Sequence, residues 1–86
     1  MKSPEPEGTK LADLAVNRGR HRYRRYLKSE LEAAATYSAM AQVEKNAARA
    51  DIFKRLAQTE MRHASQWAMR LGMDPSKLEP MGPKGK

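Results

Sequence analysis

Glu60-Met61-Arg62-His63 places a carboxylate and an imidazole three residues apart. On a helix that spacing sets both side chains on one face. The surrounding residues predict such a helix. Ile52, Phe53, Leu56, Glu60, His63, Trp67 and Leu71 recur at spacings of three and four, the stripe of a helix with one inward side. The stripe runs from about Ala48 to Leu71. Gly72 can take the left-handed conformation just past its end, and Asp74-Pro75 closes the segment. Arg70 in the last turn complements the helix dipole.

Upstream, Arg20 to Asn46 contains neither Gly nor Pro. Tyr23, Glu30, Tyr37 and Glu44 recur every seven residues, with Tyr26, Leu27, Ala34, Met40 and Ala41 in the neighbouring rows. That pattern predicts a helix of about seven turns. Its unusual feature is polarity, because two Glu interrupt a face of Tyr, Leu, Ala and Met. Ala33, Ala34 and Ala35 beside Glu30 permit close helix approach. Glu44-Lys45-Asn46-Ala47-Ala48 is the best place for a turn, since Asn46 tolerates the left-handed conformation and can cap the next helix.

The turn fixes the register. Centred on residues 46–47, it sets Glu30 opposite roughly residues 62–64, level with His63 and within one turn of Glu60, a turn rising about 5.4 Å. A turn about five residues away would make Glu30 miss the pair by almost three turns. Tyr37 falls level with roughly residues 55–57, and Tyr37 and Trp67 flank the layer.

A chain of 86 residues holds one small domain. The absence of Cys excludes disulfides, zinc–thiolate sites, iron–sulfur clusters and thiol catalysis. No apolar run reaches the length of a membrane span and no signal peptide is visible, so any membrane part is expected to lie elsewhere. The net charge of +7 draws the chain toward anionic surfaces. Residues 1–19 are expected to form an N-terminal tail, disordered over Met1 to Gly8. A short helix is expected in it, capped by Thr9, carrying Leu11, Leu14 and Ala15, and ending at Asn17–Gly19 unless it runs on into the next helix. Residues 20–73 form the hairpin, and 74–86, with Pro80 and Pro83, a loop or linker.

Two carboxylates and one imidazole suit Fe(II), Mn(II) or Zn(II). A lone Glu-x-x-His is a surface pair on most helices; the matching height of Glu30 and the apolar neighbours of all three residues strengthen the metal reading. A Glu on an inward stripe needs a partner, and the competing explanation is a Glu30–Arg62 or Glu30–His63 pair at a dimer interface. Tyr37 packs as core, or hydrogen-bonds near the metal, or donates an electron there, which makes it the candidate catalytic residue. Trp67 and the Met residues read as core or interface. His21-Arg22-Tyr23-Arg24-Arg25-Tyr26-Leu27-Lys28 has the composition of a nucleic-acid surface with stacking Tyr. Yet Tyr23 and Tyr26 fall on the inward stripe, which favours a solvated basic face; an acidic membrane surface is a third partner for it.

Tyr26-Leu27-Lys28-Ser29-Glu30-Leu31-Glu32-Ala33-Ala34-Ala35-Thr36-Tyr37, followed by Ala50-Asp51-Ile52-Phe53-Lys54-Arg55-Leu56-Ala57-Gln58-Thr59-Glu60-Met61-Arg62-His63-Ala64, resembles the rubrerythrin branch of the ferritin-like superfamily. In particular it looks like the soluble ferritin-like domain ahead of vacuolar-iron-transporter-type membrane domains. The matching motifs are Glu-x6-Tyr (Glu30, Tyr37) and Glu-x-x-His-Ala (Glu60, His63, Ala64), within Tyr23 to Gly72. The resemblance implies Glu30, Glu60 and His63 as iron ligands, Tyr37 beside them, and iron oxidation or delivery as the activity. Rubrerythrin-type domains carry two such hairpins in one chain, and this chain has one. It also lacks the cysteine-ligated iron centre and the transporter's membrane spans. It therefore reads as a soluble domain of a longer protein, or as a stand-alone half-bundle as in encapsulated ferritins, although no shell-targeting tail is recognisable at Pro80 to Lys86.

The expectation is an all-α fold: an antiparallel two-helix hairpin that dimerises into a ferritin-like four-helix bundle. A homodimer or higher oligomer would hold two iron ions per pair, with manganese or zinc as other metals, and no organic cofactor. Its chemistry would be Fe(II) oxidation by oxygen or peroxide, or iron supply for storage or transport. The competing classes are a non-catalytic metal-binding or sensing domain attached to a membrane iron transporter, and a nucleic-acid-binding helical module. The expected location is the cytoplasm, including the cytoplasmic face of a membrane.

Overall fold

The computed structural model describes residues 7–81, with side chains from Val16 onward. Helix α1 spans Glu7–Val43 and helix α2 spans Ala47–Arg70, followed by a short 3-10 turn at Pro75–Lys77. The two helices pack against each other, and the described residues contain no strand. Among the described residues no helix is long and apolar enough to cross a membrane.

The turn needs neither Gly nor Pro because side chains hold it. Asn46 caps α2, its side chain accepting from the Arg49 backbone N–H at 3.0 Å. The Glu44 carboxylate accepts from the Asn46 N–H at 3.0 Å and from the Arg49 guanidinium at 3.2 Å. That Asn46 N–H, with Arg49, holds the Glu44 carboxyl below the usual range. Glu44, the last member of the seven-residue stripe, is thus a turn lock rather than part of the inward face.

Small side chains bring the helices together. Ala34, Ala64 and Ala68 are fully buried, with Ala41 and Ala57 nearly so. Leu27, Leu31 and Leu71 complete the buried cluster around Ala64 and Ala68, with Tyr23, Met61 and Trp67 against it. No large side chain among the described residues is fully buried, so the hairpin alone has a thin core.

Two expectations are corrected. First, Asn17 to Gly19 do not end a helix: α1 runs through them without a break, and Thr9 lies inside it rather than capping it. The expected disordered tail is described only at its last two residues, Glu7 and Gly8, which are helical; residues 1–6 lie outside the described residues. A mid-helix Gly costs only about 1 kcal/mol relative to Ala, which long flanking helix-forming runs absorb. Second, the segment after Pro75 is not a loose linker as far as Met81. Leu78 and Met81 pack on the buried cluster, and the Met81 N–H donates to the Leu31 carbonyl at 3.1 Å. The tail after Met81 lies outside the described residues.

The strap is aimed by the end of α2. Gly72 adopts a φ of 76°, its N–H donates to the Met69 carbonyl at 3.1 Å, and the Met73 N–H donates to Ala68 at 2.9 Å. These are the paired bonds of a left-handed helix stop. Asp74 then caps the 3-10 turn, accepting from the Ser76 N–H at 3.0 Å and hydroxyl at 2.8 Å. The two glycines should respond oppositely to Ala. A methyl group at Gly19 meets nothing within 4 Å, so Gly19→Ala is expected to stabilise by about 0.5–1 kcal/mol. Gly72→Ala is expected to destabilise by about 1–2 kcal/mol, because its left-handed backbone disfavours any Cβ. Urea unfolding followed by circular dichroism measures both.

Candidate metal centre

The three candidate ligands come from both helices. Glu30 sits mid-way along α1, and Glu60 and His63 are adjacent on α2. His63 Nδ1 lies 3.7 Å from Glu30 Oε2 and 3.6 Å from Glu60 Oε1. One ligand atom from each residue lies within 4.8 Å of the other two. The register expected from the turn therefore holds, with Glu30 level with His63. An ion bound at about 2.0–2.2 Å from O and N ligands needs donors no more than about 4.4 Å apart. Both contacts to His63 meet that limit. Two carboxylates also match the charge of one divalent ion. The set is chemically suited to a borderline transition metal.

Within one chain Arg62 is exposed and donates to the Thr59 hydroxyl at 3.0 Å, and no ion pair joins it to Glu30 among the described residues. The Glu30–His63 contact is present, as part of the same three-residue group. Tyr37 stacks on Phe53 at a centroid distance of 6.5 Å, and no hydrogen bond among the described residues joins it to the three ligands. The hydrogen-bond partner is Trp67, whose indole N–H donates to Glu30 Oε2 at 3.2 Å. Trp67 reads from sequence as plain core or interface. The available signal was its position four residues past His63 on the ligand face, together with an indole N–H that has to find an acceptor when part-buried.

Charge on the metal-free group is unevenly shared. Burial would raise Glu30, but hydrogen bonding with Glu60 and Trp67, and then the His63 charge, outweigh it and leave Glu30 below the ordinary glutamate range. Hydrogen bonding with Glu30 keeps the Glu60 proton on, helped by burial and by the Glu30 charge, so Glu60 lies above that range against the pull of His63. The two carboxyls titrate as one coupled unit, Glu60 above and Glu30 below the ordinary range.

This sets a pH dependence. Above the ordinary glutamate range the folded pair keeps a proton that the unfolded chain has lost. Its contribution to stability therefore falls as pH rises through the raised Glu60 value. Below that range Glu30 stays ionised where the unfolded chain is protonated. The contribution then falls as pH drops through the lowered Glu30 value. In the metal-free chain it is greatest within the ordinary glutamate range. Thermal melts across pH check this, with Glu60→Gln as reference. Gln has no proton to lose, and the fall on the alkaline side is expected to disappear.

The basic stretch turns its cations outward: His21, Arg22, Arg24, Arg25 and Lys28 are exposed. Tyr23 and Tyr26 instead meet Trp67, at centroid distances of 5.5 and 4.9 Å. Tyr23 stacks on Trp67, while Tyr26 meets it at a tilt and stays exposed.

The chain is thus an all-helical pair with a Glu-Glu-His group able to hold a metal. Comparison with protein families, with curated proteins and with solved structures finds no match.

Proposed function

We propose that this chain is half of a carboxylate-bound two-iron protein. Two hairpins pair about a twofold axis into a four-helix bundle, and each contributes Glu30, Glu60 and His63 to a shared site. The observation that carries this reading is the convergence of those three ligand groups within 4.8 Å from two helices. Doubling the set gives four carboxylates and two imidazoles, the ligand complement of two-metal carboxylate bundles, in which two helices supply one Glu each and two supply Glu-x-x-His. Four carboxylates balance two divalent ions and continue to favour them as they become trivalent. Fe(II) is the metal that makes use of this last property, and its oxidation by oxygen or peroxide is the proposed chemistry. Glu30 and Glu60 neutralise the growing charge, His63 supplies a neutral nitrogen, and Trp67 fixes the orientation of Glu30 through its N–H.

Anaerobic loading with Fe(II), followed by elemental analysis, tests the site: one iron per chain is expected. Binding should weaken as pH falls, because protons compete with the metal for the imidazole and the carboxylates. Admitting air should then give repeated oxidation per site with near-ultraviolet Fe(III)–oxo absorbance. A chain that retains neither Fe(II) nor Mn(II) near neutral pH overturns the reading. Bound iron that oxidises no faster than in protein-free buffer assigns the site to delivery or sensing instead.

A further inference from the structure

We propose that Trp67 and Tyr26 form a one-electron relay between the Glu30 carboxylate and the protein surface, with Tyr26 as its terminus. The purpose assigned to the relay rests on the iron-oxidation reading; the relay itself is a property of the chain alone.

Trp67 is the only Trp in the sequence, and its indole N–H is bonded to Glu30 Oε2 at 3.2 Å. An indole that gives up an electron becomes a strong acid, and Glu30 is placed to take the Nε1 proton. The Arg70 guanidinium lies 5.0 Å from the centre of the Trp67 ring. That positive charge disfavours a cation radical and so promotes loss of the proton. The resulting indolyl radical has two phenols against it. Tyr26 is the nearer, at 4.9 Å between centroids against 5.5 Å for Tyr23. Arg70 also covers the Tyr23 ring, at 5.7 Å from its centre, and opposes charge that develops there as the electron leaves. A phenol must lose its proton when oxidised, and Tyr26 is 40% exposed while Tyr23 is packed against the buried cluster. Distance, charge and proton access all select Tyr26. The electron passes from the Tyr26 ring to the indolyl radical, the indole takes its proton back from Glu30, and the Tyr26 phenol proton goes to water.

The use of such a relay follows from electron counting. A peroxide needs two electrons, and a shared site loaded with only one of its two Fe(II) supplies one. The second comes from Trp67 and is replaced by Tyr26. One Fe(II), one tyrosine, one peroxide and one proton then give Fe(III), a tyrosyl radical and two waters. The oxidising equivalent ends at the surface, away from the ligands.

The test uses the metal-free chain, so its failure leaves the metal reading standing and failure of metal binding leaves the relay standing. Pulse radiolysis generates the azide radical, which takes one electron from Trp67 and becomes azide. The tryptophanyl absorbance is expected to decay as tyrosyl absorbance grows, at a rate independent of protein concentration. Tyr26→Phe, which keeps the ring and its stacking, should abolish the tyrosyl growth and prolong the tryptophanyl signal. Tyr23→Phe should leave both unchanged, and circular dichroism confirms that each variant stays helical. A wild-type chain without concentration-independent transfer overturns the proposal. So does transfer that survives Tyr26→Phe, or that Tyr23→Phe reduces as much.

Discussion

Replacing Glu30, Glu60 or His63 by Ala, one at a time, is expected to weaken Fe(II) and Mn(II) binding by more than 100-fold while leaving the chain as helical as before. The magnitude follows from the place of these residues. Loss of an outer hydrogen-bond partner of a metal ligand costs roughly 10–100-fold in affinity, and loss of a ligand itself costs more. The helicity follows from burial. The His63 side chain is 49% exposed, and those of Glu30 and Glu60 are 22% and 20% exposed. None of the three belongs to the Ala and Leu seam that joins the helices. Ala is the best helix former, so truncation opens no cavity in the seam and strengthens local propensity. Removing one carboxyl also relieves its partner of a neighbouring like charge, so the metal-free Glu30→Ala and Glu60→Ala chains are expected to be no less stable than the parent near neutral pH. Trp67→Phe should fall between parent and ligand variants, because Glu30 remains but loses its N–H donor. Equilibrium dialysis with elemental analysis, paired with far-ultraviolet circular dichroism, reads both quantities. Affinity unchanged in all three Ala variants would show that the group is only a polar cluster.

What was legible in the sequence was the register. Two stripes and a turn at Asn46 were enough to set Glu30 opposite His63, because the rise of a helix is fixed and the turn leaves little freedom. The stop at Gly72 and Asp74-Pro75 was legible for the same kind of reason: one left-handed residue and one Pro leave few backbone choices. The continuity of α1 was not. Gly19 and Asn17 carry a local stop signal worth about 1 kcal/mol, and a helix of 37 residues overrides it. The strap was also hidden, since Leu78 and Met81 stand in a Pro-interrupted tail with no periodicity to mark them as inward. Trp67 packs against the core as its stripe implies, but its bond to Glu30 and the turn-facing role of Glu44 were not legible, because a stripe gives the side a residue faces and not the atom it bonds. Glu44 turns to the backbone of the turn, and Trp67 turns its N–H to Glu30.

The second large effect concerns assembly. The hairpin leaves Met40, Ile52 and Leu56 exposed on the turn side of the ligand group, at helical spacing with Tyr37, Phe53, Glu60 and His63 on their own helices. No large side chain is fully buried to compensate. Val43 and Met69 are exposed as well, but the strap of Leu78 and Met81 already covers the buried cluster of Leu27, Leu31 and Leu71, and Met40, Ile52 and Leu56 form an uncovered apolar patch beside the candidate ligands. A second copy placed there by a twofold axis covers both faces at once and brings the two ligand groups together. The expected species is at least a dimer at micromolar concentration, with two metal ions per pair and metal raising the dimer fraction by mass action. Leu56→Asp tests the link between assembly and site. Covering Leu56, which is 37% exposed in the hairpin, contributes about a third of the roughly 1.5–3 kcal/mol of a full Leu burial, and a twofold interface contains it twice. The variant should therefore dissociate at least about 10-fold more readily, with the cost of burying two unpaired Asp carboxylates added to that. If the site is shared as proposed, iron affinity should fall with the dimer although no ligand has been touched. Light scattering and metal analysis on the same samples decide the matter. A folded monomer that binds iron as tightly as the parent would mean that three ligands from one hairpin suffice, and the shared two-metal site would have to be given up.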